Sequence, residues 1–436
     1  MVPTHTQQHL TTFELYLRHQ PASVVRTEAV EDNTCGMNPC YYMRDGGQFL
    51  VSTSVTSLIA AAGSFERNED FRPTKFFLHK HHKKAATLLK RAVSTAYGIA
   101  RKSPLVARQA SKVGKLIPEQ TKATYLWNPH QAGYATARTV DKRISRLLPQ
   151  QTISADGESR AAAPECTTPD AESHVRVAAD VLRDEIHAIE RRFPDRRHII
   201  LVGGKDSQLI CLVPKLNPDN WMIFSAQPNF PIVEDWVRAN GIEVGALYEH
   251  DGKNEETADE FKRKLLCSDL YSSPVHIRYL PTLARITREI GADCMFWLGS
   301  MPRGAAVFDG RSHERQLGPR AADEFTSRFF DYHLNQFPFW QGNIQQTYAN
   351  YLQSPVFCPY YLPDFLAKVF FTLDPQRLES RDYRERLGEL LHGHPVQWPT
   401  SNPGPVAYDY TNFLFDSYSH YLREIRKLVA SENAAA

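Results

Sequence analysis

The sequence predicts an α/β protein in which helices cover both faces of a parallel sheet. Short apolar runs of strand length alternate with helical segments between residues 171 and 299, a pattern typical of parallel sheets. The chain has 436 residues, of which 42% are hydrophobic and 23% charged, so it is long enough for two or three domains. A small, polar, aperiodic stretch at 151–170 indicates a linker. We therefore expect an N-terminal domain at 1–160 and a second domain at 165–430.

Composition indicates a soluble protein with reduced thiols. No run approaches the roughly 20 apolar residues of a membrane helix, and the first residues lack the basic and apolar segments of a secretory signal. Seven scattered cysteines are an odd number without zinc-like spacing, which favours free thiols in a reducing compartment. We expect a cytoplasmic protein that does not bind membranes. The net charge of +2 gives no indication of a polyanionic partner.

The N-terminal region contains a predicted hairpin and a basic tract. Within 38–60, two strand-like runs flank Asp45-Gly46-Gly47 and continue into a helix, which predicts a β-hairpin. Residues 72–118 hold twelve Lys or Arg and no Asp or Glu. This tract could bind RNA phosphates, but its aromatic residues are sparse, so we prefer a solvated helical insertion. The cluster at 79–82 (HKHH) is assigned to the same solvated face, because its lysine and the neighbouring lysines would repel a metal ion.

The second region begins with an amphipathic helix at 171–192, which ends before Pro194. Its apolar face is formed by residues at helical spacing: Val175, Ala178, Leu182, Ile186 and Ile189. Strands are then predicted at 198–202, 221–226, 243–249 and 293–299. Helices are predicted directly after the first of these strands and at 231–240, 256–266 and 279–290. From about residue 320 the sequence predicts a helical layer rich in aromatics, of which 329–341 is assigned to the core rather than to a substrate cavity.

A double-glycine turn follows the first strand of this region, in the run Val202-Gly203-Gly204-Lys205-Asp206-Ser207. Ligands of open parallel sheets bind beyond the carboxyl ends of the strands, where this turn is expected. Two glycines let the backbone approach an anion closely, and the following helix presents N–H groups with partial positive charge. Ser207 can donate a hydrogen bond to phosphate, Lys205 can serve as a charge partner, and Asp206 is best explained as a magnesium ligand. The turn is neither a Walker A loop nor a Rossmann GxGxxG.

The turn resembles the S-G-G-x-D-S signature of the PP-loop ATP pyrophosphatases, with Val202 in place of the first serine. Residues 140–405 resemble the asparagine synthetase family, which includes β-lactam synthetases and lasso-peptide cyclases. The segments that carry this likeness beyond the loop are 136–151, 169–189, 272–299 and 354–375. The hairpin at 38–60 is similar to part of the family's glutaminase-like domain. The resemblance implies a PP-loop synthetase domain with a helical C-terminal layer, behind a degenerate, Ntn-type α+β domain.

The resemblance also implies a reaction and a set of site residues. In this family ATP reacts with a substrate carboxylate to give an acyl-adenylate and pyrophosphate, and an amine then displaces AMP. The residues expected to contact the nucleotide are Leu201, Val202, Gly203, Gly204, Lys205, Ala226, Leu298 and Gly299. Asp206 and Ser207 would hold magnesium and pyrophosphate. We therefore expect ATP and Mg²⁺ as cofactors and a small-molecule or peptide carboxylate as substrate.

Three features depart from the family. Its glutaminases use an N-terminal cysteine, whereas residue 2 is Val and the first cysteine is Cys35, so we expect no glutamine hydrolysis. The family's acidic motif G-E-G-x-D-E is replaced at 298–308, where Arg303 stands near the position of one acid and could bind pyrophosphate directly. The family's lysine near the C-terminal end has no counterpart at 401–410.

The sequence leaves three functions open. The first is an ATP-dependent, AMP-forming amide-bond synthetase of specialised-metabolite or peptide biosynthesis, with Asp206, Ser207 and Arg303 as catalytic residues. The second is a catalytically degenerate relative that acts as a binding or assembly partner. The lost acids and lysine favour it, while the retained GGKDS run argues against it. The third is a PP-loop RNA-modifying enzyme, favoured by the basic tract alone, and we do not expect nucleic acid as a partner.

Overall fold

The computed structural model describes residues 6–71, 137–161, 171–251, 257–269, 277–291, 293–300, 337–372, 381–399 and 417–435. In this part of the chain it contains one mainly antiparallel sheet and one parallel sheet, with helices against both. The predicted α/β class with a parallel sheet is therefore confirmed. The basic tract at 72–118, including its histidine cluster, lies outside the described residues.

Seven strands of the described N-terminal residues form the first sheet. They are β1 (Thr6–Thr11), β2 (Val25–Glu31), β3 (Tyr41–Asp45), β4 (Gln48–Ser52), β5 (Ile144–Arg146), β6 (Gln151–Ser154) and β7 (Gly157–Arg160), with helices α1 (Thr12–Arg18) and α2 (Val55–Ala62). The order is β5-β3-β4-β2-β6-β7, with β1 added to β2 in parallel and all other pairings antiparallel. Alternate residues of β3 and β4 enter two different apolar clusters, because successive side chains of a strand point to opposite faces. Both faces of the sheet are therefore covered at β3 and β4.

The hairpin prediction is confirmed, and the linker prediction is wrong for its first ten residues. β3 ends at Asp45 and β4 begins at Gln48, with Gly46 in the left-handed region at φ +64°, which glycine adopts without strain. Residues 151–160 are not a linker, because they form the hairpin β6–β7, and β6 pairs with β2. Their small polar side chains suit the edge of a sheet, where β7 is exposed along its whole length.

The second sheet consists, in the described residues, of five parallel strands: β8 (Arg197–Leu201), β9 (Trp221–Ala226), β10 (Ala246–His250), β11 (Cys294–Leu298) and β12 (Val356–Phe357). Their spatial order is β10-β9-β8-β11-β12. The chain runs from β8 outward to β10 and then crosses back to place β11 on the other side of β8. The order of strands thus reverses between β8 and β11, and a crevice opens at such a point beyond the carboxyl ends of the strands.

Eight further helices lie in the described residues after the first sheet. They are α3 (Ala171–Arg192), α4 (Lys205–Leu212), α5 (Phe230–Ala239), α6 (Ala258–Cys267), α7 (Leu280–Ile290), α8 (Phe337–Leu352), α9 (Arg381–His392) and α10 (Ser417–Ala435). The predicted apolar face of α3 is buried at all five positions. Shorter helical turns occupy 359–370. Within the described residues, no helix combines the length and hydropathy that a membrane crossing requires.

Buried polar contacts connect the first sheet to α8. Tyr41 of β3 donates to Gln346 of α8 at 2.9 Å, and the buried Arg146 of β5 donates to Asn343 at 2.6 Å. Asp269, just after α6, accepts from Gln346 at 2.8 Å and from Tyr421 of α10 at 2.8 Å. Buried polar groups require partners of this kind, so the two halves fix each other's position through α8.

Candidate functional site

The carboxyl ends of three neighbouring strands line a cleft of about 370 Å³ at the reversal of strand order. Its walls are the ends of β8, β9 and β11, the segment before α7, and one face of α8. The lining residues are Leu201, Val202, Gly203, Gly204, Ser207, Phe224, Ser225, Ala226, Asn229, Arg278, Tyr279, Leu298, Gly299, Ser300, Gln341, Ile344 and Tyr348. Arg278 is the charged member of this set, so the cleft suits an anionic ligand with an apolar part.

A second and larger cavity, about 660 Å³, lies against the first sheet. Its arginines are all engaged: Arg26 pairs with Asp45, Arg44 with Glu158, and Arg143 with Asp141. Because carboxylates of the protein already neutralise these cations, we expect this cavity to bind an anion less well than the cleft at the strand ends. We therefore take the smaller cleft as the candidate site.

The double-glycine turn forms the floor of the cleft. β8 ends at Leu201, Val202 donates its N–H to Phe224 of β9 at 2.8 Å, and α4 begins at Lys205. The N–H groups of Gly203 and Gly204 both donate to Ser207 Oγ, at 3.1 and 3.3 Å, and this hydroxyl donates to Gly204 O at 2.8 Å. The two amides thus converge on one oxygen atom of the protein itself, and a ligand oxygen that binds both amides would have to replace this hydroxyl.

The glycines at the cleft serve two different purposes. A Cβ on Gly299, directly after β11, would lie 2.3 Å from both Cα and N of Ser207. Only glycine therefore lets the end of β11 approach the first turn of α4 this closely. A Cβ on Gly203 would meet no atom within 4 Å, so packing does not require glycine at this lining residue of the cleft.

The structure brings together eight of the eleven residues expected at the site. Those that line the cleft are Leu201, Val202, Gly203, Gly204, Ser207, Ala226, Leu298 and Gly299. Lys205 and Asp206 belong to the same turn but are not among the lining residues. Arg303 lies outside the described residues, as do the rest of the replaced acidic motif and residues 401–410.

Lys205 and Asp206 face helix α9 instead of the cleft. Lys205 Nζ lies 3.7 Å from Glu385 Oε1 and 5.4 Å from the centre of the Trp398 ring. Asp206 Oδ1 lies 3.7 Å from Arg384 Nη1. Two ion pairs therefore join the first turn of α4 to α9. In one pair the cation is on α4, and in the other it is on α9.

A cation of the protein lies beside the carboxylate of Asp206. Its side chain is 10% exposed, and the group facing it is a guanidinium whose side chain is 13% exposed. Mg²⁺ needs an octahedral shell of oxygens, and the described residues contain no cluster of three or more His, Cys, Asp or Glu that could hold a metal. The expectation of Mg²⁺ at Asp206 stays a prediction, and this arrangement does not favour it. The glycine turn and Arg278 do fit the phosphates of a nucleotide.

Arg278, Tyr279 and Tyr348 form a polar wall that the sequence did not single out. Arg278 donates to Tyr279 Oη, and its guanidinium lies 4.3 Å from the centre of that ring. Burial raises the pKa of the Tyr279 hydroxyl, and the nearby Arg278 lowers it in part. Burial also raises the pKa of Tyr348, so both phenols are neutral donors at physiological pH. The one signal in the sequence was an Arg-Tyr pair at the start of the helix predicted at 279–290.

Asn229 is a second lining residue that sequence patterns did not identify. It precedes α5, is 7% exposed, and donates from Nδ2 to Gly203 O at 3.4 Å. Its Oδ1 is buried and accepts no hydrogen bond from the described residues. A buried acceptor without a hydrogen bond destabilises the folded protein. A ligand N–H or O–H in the cleft would supply the hydrogen bond.

The described cysteines are not nucleophiles of the cleft or of the first sheet. The cysteines at 35, 40, 211, 267, 294 and 358 are all free. Burial raises the pKa of Cys35 and Cys40 well above the usual range, and it raises the pKa of Cys358, near Ser300, to about 12. Each thiol is therefore protonated and unreactive at neutral pH.

Comparison with known proteins does not assign the chain to a family. No protein-family model matches the chain, and no curated protein matches it.

Proposed function

We propose that this protein binds ATP in the cleft at the ends of β8, β9 and β11 and is an AMP-forming amide-bond synthetase. The observation that carries this proposal is the convergence of the Gly203-Gly204 amides, Gly299 and Arg278 at the reversal of strand order. A phosphate-binding turn at that point of a parallel sheet is a recurrent nucleotide site. The strand order and the GGKDS run support a PP-loop type of fold.

The proposed reaction has two steps. A carboxylate oxygen of the substrate attacks the α-phosphorus of ATP, and the bond to the bridging oxygen breaks, releasing pyrophosphate. An amine nitrogen then attacks the acyl carbon, loses a proton to solvent, and AMP leaves with the former carboxylate oxygen. The turn amides and Arg278 would stabilise the charge that develops on the leaving pyrophosphate. The neutral, buried Cys35 and Cys40 support an amine source other than glutamine hydrolysis.

An isotope-exchange assay tests this reaction. Labelled pyrophosphate should enter ATP when the protein is supplied with ATP and a panel of amino acids, peptides and other carboxylic acids, and only with the carboxylate that is its substrate. Mass spectrometry of the full reaction should detect AMP. Release of ADP instead of AMP would contradict adenylation. The variant Arg278→Met should lose exchange activity, while the exposed Arg285→Met on α7 serves as the matched control.

A catalytically inactive nucleotide-binding protein is the second candidate. The observation that favours it is the Arg384 guanidinium beside Asp206, together with the replaced acids at 298–308. In that case ATP would bind with ordinary affinity, but no carboxylate of the panel would support exchange. Calorimetry of ATP binding, run beside the exchange assay, separates the two functions.

A further inference from the structure

Two ion pairs connect the first turn of α4 to the beginning of α9. Two consecutive residues of one helix, Lys205 and Asp206, pair with two consecutive residues of the other, Glu385 and Arg384. The Asp206–Arg384 pair is the more buried, with side chains 10% and 13% exposed. Such a pair is little screened by salt, and removal of one partner would leave a buried charge uncompensated.

Gly388 lies where α9 packs against Trp398 and the end of α4. A Cβ on Gly388 would lie 2.5 Å from Trp398 Cζ2 and 3.2 Å from Leu212 Cδ1 at the end of α4. Arg384 lies one helical turn before Gly388, and residues four apart share a helix face. The close approach at Gly388 therefore carries Arg384 to the start of α4, where its guanidinium meets Asp206.

The backbone of Asp206 is fixed as well. Tyr360 donates its hydroxyl to Asp206 O, and Gly299 abuts the next residue, Ser207. The main chain of Asp206 is thus held on both sides, and its Oδ1 lies 3.7 Å from Arg384 Nη1 of α9. A cation in the cleft would have to draw this carboxylate away from a guanidinium already in place.

We propose that Arg384 is the permanent counter-charge of Asp206, so that no divalent cation binds to this carboxylate when the turn receives nucleotide phosphates. The nucleotide part of this inference rests on the proposed function. Arg384 is a positioning residue: it holds Asp206 and the first turn of α4, and its charge takes the place that a metal ion would have. Any Mg²⁺ that enters the cleft with the nucleotide does so without Asp206 as a ligand.

Manganese binding tests the inference without nucleotide. Mn²⁺ is titrated into the protein and the free ion is followed by electron paramagnetic resonance. Wild type and the exposed control Arg386→Met should bind no Mn²⁺ at the turn. Arg384→Met should gain a weak site, and the double variant Asp206→Asn/Arg384→Met, which removes both buried charges and so preserves the fold, should lose it again. A wild-type site that disappears in the double variant would overturn the inference, as would the failure of a folded Arg384→Met to bind Mn²⁺.

Nucleotide binding supplies a second, separable test. The ratio of ATP affinities measured in Mg²⁺ and in excess EDTA should be the same, within about twofold, for wild type and the double variant. A Mg²⁺ effect present only in wild type would place the metal at Asp206 and contradict the inference. Absence of ATP binding under both conditions would refute the proposed function, whereas the manganese titration would still decide the role of Arg384.

Discussion

The close approach of β11 to α4 predicts how much a substitution of Gly299 lowers the free energy of unfolding. In Gly299→Ala the new methyl group would lie 2.3 Å from Cα and N of Ser207, whereas non-bonded carbons normally approach to about 3.5–4.0 Å. The obstructing atoms are backbone, so no side-chain rotation relieves the contact. The strand end or the helix start must move by roughly 1 Å or more, and overpacking of this kind costs about 1–3 kcal/mol. Gly299→Ala should therefore lower the free energy of unfolding by that amount and abolish ATP binding.

Gly203→Ala is the matched control for this prediction. Its methyl group meets no atom within 4 Å, and Gly203 has no positive φ, so the free energy of unfolding should stay the same or rise by up to about 1 kcal/mol. The methyl group would nevertheless narrow the turn, and ATP affinity should fall by at least about tenfold, or ~1.4 kcal/mol. Urea unfolding followed by fluorescence and titration calorimetry with ATP measure the two effects. A stable Gly299→Ala protein that binds ATP normally would refute the geometry, and normal ATP binding by Gly203→Ala would refute the role of the turn.

Two further predictions concern charges. Arg278→Met should weaken ATP binding by about 10–100-fold, because a hydrogen bond to a charged group contributes about 1.5–3 kcal/mol; equal affinities of this variant and Arg285→Met in calorimetry would exclude Arg278 from the site. Burial raises the pKa of Asp269 from 3.8 to about 7, so the folded protein retains between these pH values a proton that the unfolded chain releases. The free energy of unfolding should therefore fall by a few kcal/mol as pH rises from 4 to 7. Asp269→Asn should have a shallower slope in urea unfolding, because Asp32 and Glu185, whose pKa values burial also raises, still contribute to it. An unchanged slope would contradict the assignment.

The parallel sheet was largely predictable because its signals are local. The helix at 171–192 matches α3 (Ala171–Arg192), and the strand at 221–226 matches β9 (Trp221–Ala226). Amphipathic spacing predicts such a helix, and a short apolar run predicts such a strand, from neighbouring residues alone. The strand predicted at 243–249 begins three residues late, at Ala246.

What could not be predicted depends on contacts between distant residues. Residues 151–160 carry small polar side chains, and they become strands only because β2 offers an edge for pairing. Arg278 and Asn229 enter the cleft because two crossovers bring the ends of β9 and β11 beside β8. The position of Asp206 depends on Arg384, a residue 178 positions away in the sequence. No local sequence pattern predicts an ion pair between residues so far apart in the chain.

The central claim is that the turn at Gly203 and Gly204 binds the phosphates of ATP. A crystal structure with an ATP analogue that cannot release pyrophosphate tests it most directly. Phosphate oxygens should lie within about 3 Å of both amide nitrogens, in the place that Ser207 Oγ takes at 3.1 and 3.3 Å. If both amides remained bonded to Ser207 at saturating analogue while the nucleotide bound elsewhere, the claim would be contradicted.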